Sequence, residues 1–326
     1  MTRFNYHVSQ EQFSPTELLS LAQQAEAVGF DGAFSSDHLQ PWSPQQGHSA
    51  FTWSWLGAAL QATRRLQFGT ITVPGGWRYQ PVVLAQAIAT LCEMYPGRMP
   101  WLAFGSGEAV NECVTGQPWP AKEERNRRLQ DGVQSIRRLL DGERVTVQGP
   151  PSVQEGRLWC GGGERPCLVG AATGEATARW LGGWAEGLLT TAPELSSLRR
   201  IIQAFRDGGG EGKPVHLKVN VCWAPTDAEA VRLAYDQWRF NGAGSTANAV
   251  WCQPEQFDEG TRHMKLDDIR DQVFVSHDLD AHVEHLRACA ALGAESIDIH
   301  QVGSNQPAFL QVFGEAVLPA LRQACV

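Results

Sequence analysis

The 326-residue chain predicts an α/β fold: one (β/α)8 TIM barrel over residues 1–326, with loop insertions at about 141–166 and 239–278. Three observations carry that expectation. Strand-like apolar runs alternate with helix-like segments about eight times, and such alternation implies a parallel sheet. The length suits a barrel of roughly 250 residues plus insertions. No repeat of the solenoid kind interrupts the rhythm. A doubly wound open sheet is the alternative arrangement of the same elements.

Phe4 to Val8 reads as the first strand. Pro15 to Val28 reads as a helix, with Ser14 as N-cap, Pro15 in the first turn, Glu17 three residues after the cap and Gly29 as the stop. Phe30 to Ser35 is the second strand, Phe51 to Thr63 a helix, Leu66 to Val73 the third strand and Pro81 to Tyr95 a helix. Arg98 to Phe104 is the fourth strand, and helical periodicity resumes from Lys122 to Leu140. The glycine-rich stretch 141–166 reads as a long loop or short hairpin. Beyond it come strand Cys167 to Ala171, helix Glu175 to Leu181, strand Trp184 to Leu189 and helix Pro193 to Phe205. Val215 to Trp223 alternates strongly as a strand, and Thr226 to Trp238 is helical. After the polar excursion 239–278, helix Leu279 to Leu292, strand Ser296 to His300 and helix Pro307 to Arg322 close the pattern.

A net charge of −8 opposes binding to nucleic acid or an anionic membrane, because such partners need a basic face. No apolar run of about 18 residues exists, and the first residues lack the apolar stretch of a signal peptide. The eight cysteines are scattered without a C-x-x-C pair. They read as reduced thiols of a cytoplasmic protein and not as a disulfide framework.

In a barrel, chemistry sits at the C-terminal strand ends. After the second strand stand Asp37 and His38, then Trp42. A histidine beside a carboxylate is a candidate proton donor or acceptor, and the tryptophan offers a stacking wall. An incidental surface turn is the plain alternative. After the fourth strand come Gly105-Ser106-Gly107-Glu108-Ala109-Val110-Asn111-Glu112, whose glycines let a backbone approach a flat ligand and whose Glu108 is a second acid. The same residues also suit an ordinary acidic helix start. The third strand leads to Pro74-Gly75-Gly76-Trp77, a turn. The fifth leads to Ala171-Ala172-Thr173-Gly174, where a helix start could receive an anion. Glu11 is a third acid near the mouth. His282 and His285 lie on a helix without a third ligand, so no metal is expected. Neither a hydrolase elbow nor a P-loop occurs.

Together, Glu11-Gln12-Phe13, Ser36-Asp37-His38-Leu39-Gln40-Pro41-Trp42, Arg78-Tyr79-Gln80-Pro81, Gly105 to Glu112 and Gly116 resemble the F420-dependent glucose-6-phosphate dehydrogenases of the bacterial-luciferase-like superfamily. The resemblance implies a luciferase-like oxidoreductase that moves a hydride between F420 or FMN and a small-molecule substrate, as a homodimer. It implies His38 and Glu108 as the proton-handling pair, with Trp42 and Glu11 shaping the site. It places Asp37, Ile71, Thr72, Ser106, Gly107, Asn111 and Ala171 to Gly174 around the cofactor, with a cis Ile71–Thr72 peptide. The family's phosphate-gripping cations find no match in Thr190-Thr191-Ala192-Pro193, Ala249-Val250-Trp251-Cys252 or Arg270-Asp271-Gln272-Val273 beyond a displaced Arg270, so glucose 6-phosphate is not the expected substrate. An FMN-dependent monooxygenase and a non-catalytic flavin-binding protein are the alternative readings.

Overall fold

A computed structural model describes residues 2–75 and 78–323; Gly76, Trp77 and Cys325 lie outside the described residues. Eight parallel strands form the barrel: β1 (Arg3–Val8), β2 (Gly32–Ser35), β3 (Gln67–Thr70, resumed at Val73–Pro74), β4 (Trp101–Gly105), β5 (Cys167–Ala171), β6 (Gly187–Thr190), β7 (Val215–Cys222) and β8 (Ser296–Gln301). Each pairs with its sequence neighbour, and β8 pairs with β1. The ring is completed within β3. Its first half pairs with β2 and its second with β4, across a cis Ile71–Thr72 peptide. The open-sheet alternative is therefore set aside.

Local signals place the helices. Ser14 accepts from the Glu17 backbone N–H, and Gly29 ends that helix at φ +99°, the left-handed conformation glycine adopts at no steric cost. Thr226 caps the helix Asp227–Trp238 in the same way. Apolar helix faces pack on the outer sheet surface to form the main core.

The barrel interior differs along its axis. Phe34, Trp101 and His216 stack at its base, with ring centroids 4.1 and 4.2 Å apart. Higher up the inward positions are polar: His7 on β1, Lys218 and Asn220 on β7, and Asp298 and His300 on β8. This polar layer is the floor of the mouth.

Of the two readings of stretch 141–166 the hairpin is the one observed: Val145–Val147 pairs antiparallel with Val153–Gly156. Two other expectations change. The excursion 239–278 is largely helical, with helices Gly244–Val250 and Pro254–Gly260 and a short pairing of Phe274–Val275 with β7. The cysteines are not all free: Cys113 and Cys252 form a disulfide. Spacing could not show that pair, because the residues are 139 apart and meet only when two mouth segments fold over each other.

Candidate active site

The strand ends and loops enclose a cavity of about 780 Å3, within the roughly 300–1,000 Å3 of pockets that hold cofactor-sized ligands. Its polar head is built around His38. Glu11 arrives from the loop after β1, and the hydroxyls of Ser9 and Ser36 donate to its Oε2 at 2.8 and 2.6 Å. Its Oε1 faces His38 Nε2 at 3.2 Å. Glu108, at the head of the short helix Ala109–Glu112, places Oε2 3.4 Å from the same nitrogen. Two ionised carboxylates around a bare nitrogen lone pair would repel, so the three groups hold a proton among them. Glu11 is buried, whereas Glu108 opens into the cavity with 35% of its side chain exposed. Its enclosed setting pushes the Glu108 carboxyl above the ordinary range; His38 opposes that shift and Glu11 adds to it.

Asn111 addresses the other ring nitrogen. Its Oδ1 accepts from the backbone N–H groups of Leu39 and Gln40 at 2.9 and 3.3 Å. That fixes the amide's orientation, and Nδ2 lies 3.1 Å from His38 Nδ1 and 3.3 Å from Glu108 Oε2. An amide N–H donating to Nδ1 favours the tautomer with its proton on Nε2, between the two carboxylates. Gln40 O, 3.2 Å from Nδ1, is at hand as an acceptor when the ring is doubly protonated.

Trp42 tilts over His38 with ring centroids 4.9 Å apart. Its far side meets Phe257 of the second insertion at 5.3 Å, and Phe257 meets Trp251 at 5.1 Å. The insertion is thus a roof over the head of the cavity.

Asp37 does not pair with its neighbour in sequence. Its carboxylate accepts from Tyr79 Oη at 2.9 Å and lies 3.3 Å from the Arg78 guanidinium. Arg78 also donates to the Asp37 carbonyl at 2.8 Å and reaches Glu112 at 3.0 Å. Burial raises the Asp37 carboxyl, and Arg78 opposes it. Burial also pushes Glu112 up to about 7, against the pull of Arg78. This cluster fixes the His38 loop from behind.

Ile71, Thr72, Ser106, Gly107, Ala171, Ala172 and Thr173 line the body of the cavity, while Gly174 is not among its lining and caps the helix Glu175–Gly182. Short side chains, hydroxyls and open backbone leave room for a flat ring system and a polar tail, which fits a deazaflavin or flavin. At Gly107 the backbone turns through φ +81°, and a Cβ there would press on Glu112 and Trp119. His282 Nε2 donates to Ser276 O at 3.0 Å, and His285 stacks on Phe274. Among the described residues no group of three or more His, Cys, Asp or Glu is placed to hold a metal, and no helix is long and apolar enough to cross a membrane.

Lys218 escaped the sequence reading. Its ammonium lines the cavity floor, donating to Asn220 Oδ1 at 2.8 Å and lying 3.0 Å from His300 Nδ1. Gln12 Nε2 donates to Val302 O at 2.8 Å, so Gln12 Oε1 accepts from His300 Nε2 at 3.0 Å, which leaves His300 Nδ1 to accept from Lys218. Burial pushes Lys218 down to about 8, with Asp298, Glu11 and Glu108 opposing. The available signal was the alternation His216, Lys218, Asn220. Outward positions of a barrel strand face helices, so the polar set must point inward.

Residues 1–296 match the luciferase-like monooxygenase family. The chain belongs to that family. It is 35% identical over 334 residues to the F420-dependent glucose-6-phosphate dehydrogenase of Microbacterium testaceum, covering 98% of each chain. It is also 35% identical over 331 residues to the enzyme of that name from Nakamurella multipartita, covering 98% of this chain and 96% of that one. Among solved structures it resembles an F420-dependent secondary alcohol dehydrogenase in complex with an F420–acetone adduct: TM-score 0.91, 27% identity, 98% and 99% coverage. A coenzyme F420-dependent tetrahydromethanopterin reductase from Methanopyrus kandleri, 18% identical with a TM-score of 0.78, shares the fold of this luciferase-like chain.

Proposed function

We propose that this chain is an F420-dependent oxidoreductase that moves a hydride between the cofactor and the carbinol carbon of a small secondary alcohol. The observation that carries the reading is one imidazole nitrogen held between two carboxylates, 3.2 and 3.4 Å away, at the head of a cofactor-sized cavity. The family membership and the F420-dependent relatives support it. The cofactor, when bound, supplies two-electron hydride exchange. Ile71, Thr72, Ser106, Gly107, Asn111 and Ala171 to Thr173, backed by Asp37, would hold the ring and its phosphate-bearing tail.

An alcohol that gives up a hydride must also give up its hydroxyl proton, and the protein supplies the acceptor. That proton enters the His38–Glu108 pair. Glu11 keeps its negative charge against the protonated imidazole, because two serine hydroxyls already donate to it. Glu108, open to the cavity, exchanges the proton outward. Trp42 keeps bulk water from the head of the site.

Glucose 6-phosphate is not the substrate in this reading. A phosphate dianion needs several charge-assisted bonds. Of the cavity's cations, Arg78 is committed to Asp37 and Glu112. Lys218 donates to the floor and Arg270 gives one N–H to Val275 O, which leaves Lys122 at the rim and the rest of the Arg270 guanidinium. The segments Thr190 to Pro193 and Ala249 to Cys252 contain no cation. The test is anaerobic F420 absorbance with purified protein and either 2-propanol or glucose 6-phosphate, with FMN in place of F420 as a further arm. Bleaching of F420 by 2-propanol and none by the sugar phosphate is expected. Turnover of glucose 6-phosphate in preference to 2-propanol overturns the substrate, and failure to bind F420 overturns the function.

A further inference from the structure

The roof over the cavity is fastened to the catalytic loop by a covalent bond. Cys113 follows Asn111 and Glu112 directly, in the turn Cys113–Thr115. Cys252 stands between the insertion helices Gly244–Val250 and Pro254–Gly260. The disulfide joins them with Cα atoms 5.7 Å apart. The remaining ties are non-covalent. Gln40 Nε2 donates both to Val110 O at 2.5 Å and to Cys252 O at 3.0 Å, so one side chain of the His38 loop bridges the same two segments. Trp119 Nε1 donates to Ala249 O at 2.8 Å, and Ser43 Oγ to Asp258 at 2.8 Å. Val110, Phe240, Ala247 and Phe257 form a small apolar cluster beneath, separate from the main core.

We propose that Cys113–Cys252 is a redox site whose state sets how firmly the roof is held over the His38–Glu108 head. Both half-cystines are half-buried at the mouth, within reach of a small dithiol. Attack by one thiolate of that dithiol on either sulfur releases the other protein sulfur as a thiol and gives a mixed disulfide, and the dithiol's second thiol then displaces the attacked protein sulfur. The protein disulfide gains two electrons and two protons and becomes two thiols, while the dithiol becomes a cyclic or protein disulfide. The small cluster and hydrogen bonds, among them those of Gln40 to Cys252 O, Trp119 to Ala249 O, Ser43 to Asp258 and Arg239 to Gln45, then hold this part of the roof without a covalent tie. Such a patch opens locally far more readily than the barrel core. Opening moves Phe257 from Trp42 and Cys252 O from Gln40, loosening the wall over His38. The consequence for turnover rests on the proposed function; the opening itself does not.

The experiment compares full-length protein, oxidised and after treatment with dithiothreitol, with no cofactor or substrate present. Thiol titration in denaturant is expected to rise by two per chain on reduction. Limited trypsin digestion is expected to cut at the exposed Arg262 and Lys265 at least several-fold faster in the reduced protein. Cys252→Ser without reductant is expected to reproduce the fast digestion and to lose its response to dithiothreitol. An unchanged thiol count, or equal digestion of the oxidised and reduced wild type, overturns the proposal; the wild-type comparison decides even if the variant fails to fold. In the presence of F420 and 2-propanol, reduction is expected to raise KM more than it lowers kcat. Loss of all turnover in both states would count against the proposed function and leave the digestion result standing.

Discussion

Replacing Asn111 separates two jobs that one amide performs. Asn111 is 3% exposed. Its Oδ1 holds two backbone N–H groups of the His38 loop, and its Nδ2 donates toward His38 Nδ1 at 3.1 Å. Asn111→Leu keeps the bulk and removes these three contacts and the one to Glu108 Oε2 at 3.3 Å. Two part-buried N–H groups then lose their acceptor, at about 1–3 kcal/mol each if water does not replace it. A total of roughly 2–6 kcal/mol is expected, read from the urea midpoint. His38 also loses its orienting donor, and a displacement near 1 Å at a reacting group can cost about 100-fold in rate. Asn111→Asp retains an acceptor for the two N–H groups and replaces the donor by a carboxylate 3.3 Å from Glu108. It is therefore expected to lose less stability than the leucine variant and still fall about 100-fold in single-turnover F420 reduction at pH 7, with KM nearly unchanged. Wild-type rates in Asn111→Asp would refute the orienting role. A loss of rate that merely tracks the loss of stability across both variants would refute it too.

Glu112 titrates near 7 in the folded chain because it is buried, so its neutral form is favoured by folding; that contribution is present below about pH 4.5 and is lost as pH rises through 7. Glu112→Gln is expected to shrink the fall in stability between pH 5 and pH 8 by up to about 3 kcal/mol, measured by urea unfolding at both values; an unchanged slope contradicts the raised carboxyl. Lys218→Met removes the charged donor from the floor while keeping its packing over Trp238, 5.0 Å away. A KM increase of roughly tenfold for hydroxylated substrates is expected, about 1.4 kcal/mol, with little change in F420 affinity; a weaker F420 complex with unchanged KM would move Lys218 to the cofactor's side. Gly69→Ala would drive a methyl into Phe34 and the Trp101 carbonyl. A loss of about 1–3 kcal/mol or more is expected from overpacking, read as a lowered thermal midpoint, and an unchanged midpoint would show that the barrel base can give way.

The barrel was legible because each strand and helix announces itself locally. Ser14, Pro15 and Gly29 bound one helix in sequence and in space. The His38, Glu108 and Glu11 loops were legible because barrel chemistry sits at strand ends. What stayed hidden depends on contacts distant in sequence. Asp37 is adjacent to His38, yet its partners are Arg78 and Tyr79, while His38 takes its carboxylates from 11 and 108. Asn111 reads as one more residue near the cofactor; only the paired N–H groups of Leu39 and Gln40 show which end of its amide faces the imidazole. Lys218 carried a signal, since a polar alternation in a barrel strand must face inward, but the same pattern suits a half-exposed antiparallel strand. The helical roof was read as a loop because glycine and asparagine blur its periodicity, and its packing on Trp42 is a tertiary contact.

In the proposed reaction the His38 cluster takes the proton while the cofactor pocket takes the hydride. The most direct test is stopped-flow F420 bleaching with 2-propanol, protiated or deuterated at the carbinol carbon, in wild type and His38→Ala. A primary isotope effect is expected in wild type, with bleaching slowed by about 100- to 10,000-fold in the variant and the F420 binding constant nearly unchanged. Wild-type bleaching by His38→Ala, or no isotope effect in a step that remains rate-limiting, would contradict it.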